Sequence, residues 1–258
     1  MEAVMSDPLI CAVAPRDPAL ETCRFYHAFD EIEGAMGAEW DLRADPRGYL
    51  GHVDFKGKSV LEVGPASGFL SFHMEHAGAQ VTCLEPPMQH LWDMVPCDGF
   101  DMAAWRKEFE PSIASVRNSF WYMHRLRQSR VTLLEGDAYR LPDALGPFDA
   151  GVLAAVLMHC RNPFDMLQSV ASKVRKTMVI TELYNPALGE LPVCQFLPHR
   201  AAQQVHTWWY FTPQFFVSAL GLLGFTDCRV YHHQQRQPAE NRDVPMYTVV
   251  CERPNDSA

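Results

Sequence analysis

The chain has 258 residues, 48% of them hydrophobic, and a formal net charge of −9. This length and apolar content suit one sizeable core in a single elaborated domain. The acidic balance argues against a nucleic-acid partner: no Lys/Arg block exists, and the densest basic stretch is Arg125, Arg127 and Arg130 beside His124. Eight cysteines fall at wide, irregular spacings without a C-x-x-C pair, so neither a zinc knuckle nor a disulfide framework is expected. No signal peptide or apolar run of about 18 residues is present, and a cytoplasmic protein without membrane contact is the simplest reading.

Residues 1–17 contain Pro8 and Pro15 and no clear period, and read as a loose tail. Asp17-Pro18 has the form of a helix start, predicting a helix to about Phe29. Glu33-Gly34 marks a turn. Residues 1–57 are read as an N-terminal arm placed to cover a ligand as a lid. Ser59–Val63 is a short apolar run suited to a buried parallel strand. Gly64-Pro65-Ala66-Ser67-Gly68 is a turn that lets the backbone pass close to something. Phe69–Ala77 has helical spacing, and Ala79–Leu84 is a second strand ending on Glu85. A glycine turn feeding a helix N-terminus, with an acid some 20 residues on, is a nucleotide-binding arrangement.

Roughly 45 residues separate Glu85 from the next strand. They include a helical pattern from Met102 to Gln128, read as a helical cap inserted at about 96–128. Two neighbouring aromatics, Trp121 and Tyr122, cannot both face one core from a helix. They and Asn118 are therefore candidates for an acceptor pocket, with core packing as the competing reading. Further strands follow at Arg130–Glu135, Phe148–Ala154, Lys176–Glu182, Thr226–Tyr231 and Met246–Glu252, with a helix at Phe164–Lys173. Thr212-Pro213 starts another helix with Thr212 as its N-cap. The alternation of strand and helix from Lys58 predicts an α/β domain over residues 58–258, with helices on both faces of the sheet.

Glu62-Val63-Gly64-Pro65-Ala66-Ser67-Gly68 resembles motif I of the Rossmann-like S-adenosylmethionine methyltransferases, D/E-x-G-x-G-x-G, with Ala66 at the middle glycine. The resemblance covers roughly residues 58–252. It implies a seven-stranded, mostly parallel sheet whose last strand is antiparallel, and S-adenosylmethionine as cofactor. It places Glu62 near the methionine amino group, Gly64 to Gly68 under the methionine and ribose, Glu85 on the ribose, and Asp137 on the adenine amino group. Pro86, Ala138, Leu153 and Ala154 complete the implied cofactor shell.

Glu39-Trp40, Val156-Leu157-Met158-His159 with Asn162-Pro163, Glu182 and Trp208–Pro213 look like the tRNA wobble-uridine (carboxy)methyltransferase-like branch and its bacterial relatives. The carboxy-S-adenosylmethionine users of that branch carry Tyr and Lys where this chain has Met158 and Asp45. The resemblance therefore implies plain S-adenosylmethionine and methyl transfer.

Methyl transfer from a sulfonium needs an aligned nucleophile and exclusion of water, with a base only where the acceptor is protonated. His159, just past a strand end, is read as general base or acceptor ligand, against a structural histidine bonded to a loop. Glu182 is read as orienting the acceptor, against a capping or salt-bridge carboxylate. Tyr184, Trp208 and Trp209 are further acceptor-pocket candidates, against core packing. No metal site is read; His232-His233 is taken as solvated strand surface. The expected reaction is methylation of O or N on a small molecule. A tRNA-modifying enzyme is the runner-up, disfavoured by charge. A non-catalytic S-adenosylmethionine-binding protein is the alternative of another class, and a homodimer is an open possibility.

Overall fold

Apolar runs rich in Val, Leu and Ile supply the central strands of the chain, and a computed structural model describes residues 10–33, 37–88, 93–199 and 205–254. The strands are β1 (Ile10–Ala12), β2 (Ser59–Val63), β3 (Gln80–Glu85), β4 (Thr132–Gly136), β5 (Phe148–Ala154) and β6 (Val174–Leu183). After them come β7 (Cys194–Phe196), β8 (Trp209–Phe211), β9 (Asp227–Gln237) and β10 (Arg242–Glu252). The helices are α1 (Pro46–Tyr49), α2 (Phe69–His76), α3 (Met102–Leu126), α4 (Pro163–Ala171) and α5 (Pro213–Leu222).

Eight strands form one sheet in the order β1-β4-β3-β2-β5-β6-β10-β9. β4, β3, β2, β5 and β6 are mutually parallel. β10 runs antiparallel between β6 and β9. The seven expected strands are present in this core; the eighth, β1, pairs antiparallel with β4 at the edge.

The alternation of side chains across each strand splits the core in two. Val60, Val152 and Val179 face α2, α3 and the N-terminal arm in one cluster. Leu61, Leu153 and Ile180 face α4 and α5 in the other. Ser59 fastens β2 to β5 through its amide and hydroxyl, which donate to Asp149 at 2.9 and 2.8 Å.

Several expectations change. The helix from Asp17 is only a single 3₁₀ turn at Leu20–Thr22. The rest of that segment stays extended because His27 pairs with Trp40 and because Phe25 and Phe29 are spent on the core. Residues 10–12 of the tail are strand, while residues 1–9 and Gly34 lie outside the described residues. The final strands are longer than predicted and form one hairpin. Their register sets Cys228 opposite Cys251, and these two form a disulfide; the other six cysteines are free. The pairing comes from cross-strand register between residues 23 apart, which spacing alone does not reveal. His233 is half-buried, with Nε2 3.0 Å from Thr248 Oγ1, while His232 is exposed. Among the described residues no helix is long and apolar enough to cross a membrane.

Candidate functional site

The order in which strands are added reverses between the parallel neighbours β2 and β5, with β3 and β4 to one side and β6 to the other. Open α/β sheets bind ligands in the crevice beyond the C-terminal ends of the strands at such a switch point. A cavity of about 1240 Å³ lies there, lined by Glu62, Gly64, Pro65, Ala66, Glu85, Pro86, Asp137, Ala138, Ala154 and His159 among others. The sequence reading named all ten. Pockets for drug-sized ligands run to ~1,000 Å³, and this one is somewhat larger.

The floor is the turn after β2. Gly64 has φ +73°, and a Cβ there would sit 2.9 Å from Val156 Cγ2. Ala66 also adopts the left-handed region, at φ +51°. Gly68 ends the turn at φ +84° as the N-cap of α2, and no side chain caps that helix. Ser67 and Gly68 stand behind the lining. The Ser67 hydroxyl oxygen accepts from the His27 amide at 2.9 Å and lies 3.2 Å from His27 Nδ1. The hydroxyl, with one proton and two lone pairs, can meet Nδ1 of the neutral ring in either tautomer. Burial lowers the His27 pKa to about 3 and keeps that ring neutral. Leu153 is fully buried beneath the floor.

Two buried carboxyls, Glu62 and Glu182, and a partly buried one, Glu85, stand at this edge of the sheet. Glu62 accepts from the Ser71 hydroxyl at 2.5 Å, and burial pushes its pKa up to about 7. Burial raises Glu85 too, opposed by Arg117 and by a hydrogen bond from the Ala66 amide. Glu182 does not line the cavity: it is 2% exposed and accepts from the Met158 amide at 3.2 Å. Burial raises its pKa to about 8, so it is largely a neutral acid holding the Leu157–His159 turn.

That turn presents His159. Its Nδ1 lies 2.5 Å from the His206 carbonyl oxygen. A carbonyl only accepts, so Nδ1 carries the proton and Nε2 a lone pair. Burial lowers the pKa of this ring to about 4.

The other acceptor candidates do not line the cavity. Trp121 is fully buried in the core. Tyr122 packs edge-on against Phe25 beneath Arg125. Asn118 donates to Thr22 at 3.2 Å and ties α3 to the arm. Tyr184 packs edge-on against His232. Trp208 and Trp209 turn their Nε1–H groups to the carbonyls of Asp93 and Cys160, at 3.0 and 2.8 Å. Asp45 caps α1 by accepting from the Gly48 amide.

From α3 the cavity instead receives Phe109, Ile113, Val116 and Arg117, and from the arm Arg24, Tyr26, His27, Glu39, Trp40 and Tyr49. Trp40 Nε1 donates to the Tyr26 hydroxyl at 3.1 Å, and Arg24 pairs with Glu39 at 2.9 Å. The arm wall carries no periodicity for a sequence reading to detect. Arg117 did leave a signal, as a lone charge between Ile113, Val116, Phe120 and Trp121 on an otherwise apolar helix face.

No family model matches the chain, and no curated sequence matches it. Solved structures do. Burkholderia thailandensis 1,6-didemethyltoxoflavin-N1-methyltransferase, bound to 1,6-didemethyltoxoflavin and S-adenosylhomocysteine, matches with TM-score 0.52 at 13% identity, over 83% of this chain and 78% of its own. The N-terminal domain of EvdMO1, with S-adenosylhomocysteine and D-fucose, matches with TM-score 0.52 at 22% identity, over 91% and 93%. Synechocystis PCC 6803 magnesium protoporphyrin IX methyltransferase (ChlM), with S-adenosylmethionine bound, matches with TM-score 0.50 at 16% identity, over 83% and 78%. At these identities the likeness establishes the fold, that of the class I methyltransferases.

Proposed function

We propose that the chain is an S-adenosylmethionine-dependent methyltransferase acting on O or N of a small-molecule acceptor. The observation that carries this is the placement of Glu62 and Glu85 on adjacent strands, flanking the Gly64–Gly68 turn at the switch point of the sheet. Glu62 suits an ammonium, Glu85 a pair of ribose hydroxyls, and the turn a close backbone approach. Asp137 and Ala138 line the same cavity, where they would hold the adenine.

When bound, S-adenosylmethionine supplies a methyl group on an already activated sulfonium. The residues of the chain then have three tasks. The Gly64–Ala66 turn and the acids fix the donor. The arm and α3 wall off water with Tyr26, Trp40, Tyr49 and Phe109. His159 offers the Nε2 lone pair to a proton on the acceptor, as a weak base or an orienting hydrogen-bond acceptor.

The similar structures with D-fucose and with 1,6-didemethyltoxoflavin agree with an acceptor of sugar or small-heterocycle size. Isothermal titration with S-adenosylmethionine and S-adenosylhomocysteine tests the reading. Micromolar binding of both is expected, followed by methyl transfer to a member of a panel of sugars and N-heterocycles. Binding of neither would overturn it.

A further inference from the structure

Glu85 and Glu135 are register partners at the C-terminal ends of β3 and β4, so two carboxylates stand side by side at the rim. Arg117 reaches them from the middle of α3. It is only 4% exposed. Nη1 donates to Glu135 Oε1 at 2.9 Å, and Nη2 donates to the Pro86 carbonyl. Nη2 is 3.8 Å from Glu85 Oε2. Nε has no hydrogen-bond partner among the described residues. Glu85, Pro86 and Arg117 line the cavity, while Glu135 does not.

The two distances differ in kind. At 2.9 Å the guanidinium is hydrogen-bonded to Glu135, its anchor. At 3.8 Å it attracts Glu85 without occupying the oxygens of that carboxylate. Glu85 therefore stands beside a fixed cation that favours its charged form, with lone pairs left for a ligand besides the one taken by the Ala66 amide. We infer that Arg117 is a positioning residue that makes Glu85 competent to accept both ribose hydroxyls of the cofactor, coupling the inserted helix to nucleoside recognition. This rests on the S-adenosylmethionine reading above.

The experiment compares S-adenosylhomocysteine with its 2′-deoxy analogue by calorimetry, in the wild type, Arg117→Lys and Arg117→Met. In the wild type the analogue binds more weakly, because one partner of Glu85 is missing. Arg117→Met should weaken S-adenosylhomocysteine by roughly 10-fold or more, the scale of a hydrogen bond to a charged group. It should weaken the analogue less, so the penalty for the missing hydroxyl shrinks. Lysine keeps a charge without the fork and should fall between. Turnover at saturating cofactor should stay within a few-fold while the cofactor KM rises.

The pH dependence should follow. Glu85 is faced by Arg117 from α3, Glu135 from β4, Glu62 from β2 and the Ala66 amide from the turn. Without the arginine, burial and two acids favour the protonated form, so Arg117→Met should lose more affinity at pH 6 than at pH 8. Equal weakening of both ligands, or none, in a folded variant would overturn the inference and leave the wild-type cofactor reading intact. If Arg117→Met does not fold, Arg117→Lys carries the same comparison. Failure of the wild type to bind either ligand would instead remove the reading on which the inference rests.

Discussion

A Cβ placed on Gly68 would lie 2.6 Å from Phe72 and 2.7 Å from Phe120 ring carbons, on a residue with φ +84°. Gly68→Ala should therefore cost about 2–4 kcal/mol, the sum of left-handed strain and overpacking, measurable by urea denaturation. Ala66 tells the opposite story. Its left-handed conformation already carries the strain. Ala66→Gly should relieve ~1 kcal/mol and return a similar amount in chain entropy, leaving stability nearly unchanged. His159→Ala should lower turnover by ~10²-fold or more, with S-adenosylhomocysteine affinity intact. Because burial lowers the His159 pKa to about 4, the ring is protonated only below that pH. Its acid limb in kcat/KM should fall near pH 4, and a limb near pH 6.5 would show that another group is titrating. The Gly64–Gly68 turn was legible because a turn so tight restricts residue type locally. The pocket-facing set was not, because aromatics such as Trp121 satisfy a core and a pocket equally well on sequence grounds.

The 3₁₀ turn Leu157–His159 owes its position to Glu182 in β6. A carboxyl raised to about 8 is mostly neutral at pH 7, so an amide can replace it. Glu182→Gln should retain turnover within a few-fold. Glu182→Ala should lose ~1–3 kcal/mol of stability by orphaning the Met158 amide, and turnover with it. If Gln abolished turnover as fully as Ala, the carboxyl would have a chemical part. The helix α3 was legible almost to its ends because its period is local; its N-cap, Asp101 accepting from the Ala104 amide, was not read from the sequence. Which side of it meets the cavity depends on how it crosses the sheet. The periodicity of one helix does not contain that information.

The whole chain holds Glu62 and Glu182 with pKa values of about 7 and about 8, against 4.5 for the free side chain. The folded state thus binds more protons than the unfolded chain between those limits. Stability contributed by these acids is full below pH 4.5 and is lost as pH rises through 7 to 8. His27 and His159, held at about 3 and about 4 by burial, give the opposite slope around pH 6.5. The acids are therefore read by difference: the melting temperature of Glu182→Gln relative to the wild type should rise between pH 6 and pH 8. Scanning fluorimetry across this range checks it; a difference between the two proteins that does not change with pH would count against the Glu182 assignment. The parallel sheet was legible at this scale from the alternation of elements, whereas its strand order and the arm residues that line the cavity were not, because extended chain that packs by contact alone leaves no period.

The short pairing of Ile10–Ala12 with β4 has a further consequence. Without it β4 would end the sheet with a row of unpaired amides and carbonyls, a template for strand addition by another molecule. The same arm that walls the cavity therefore also shields the sheet from self-association. Trimming it for crystallisation or expression would trade one tidy molecule for a sticky one.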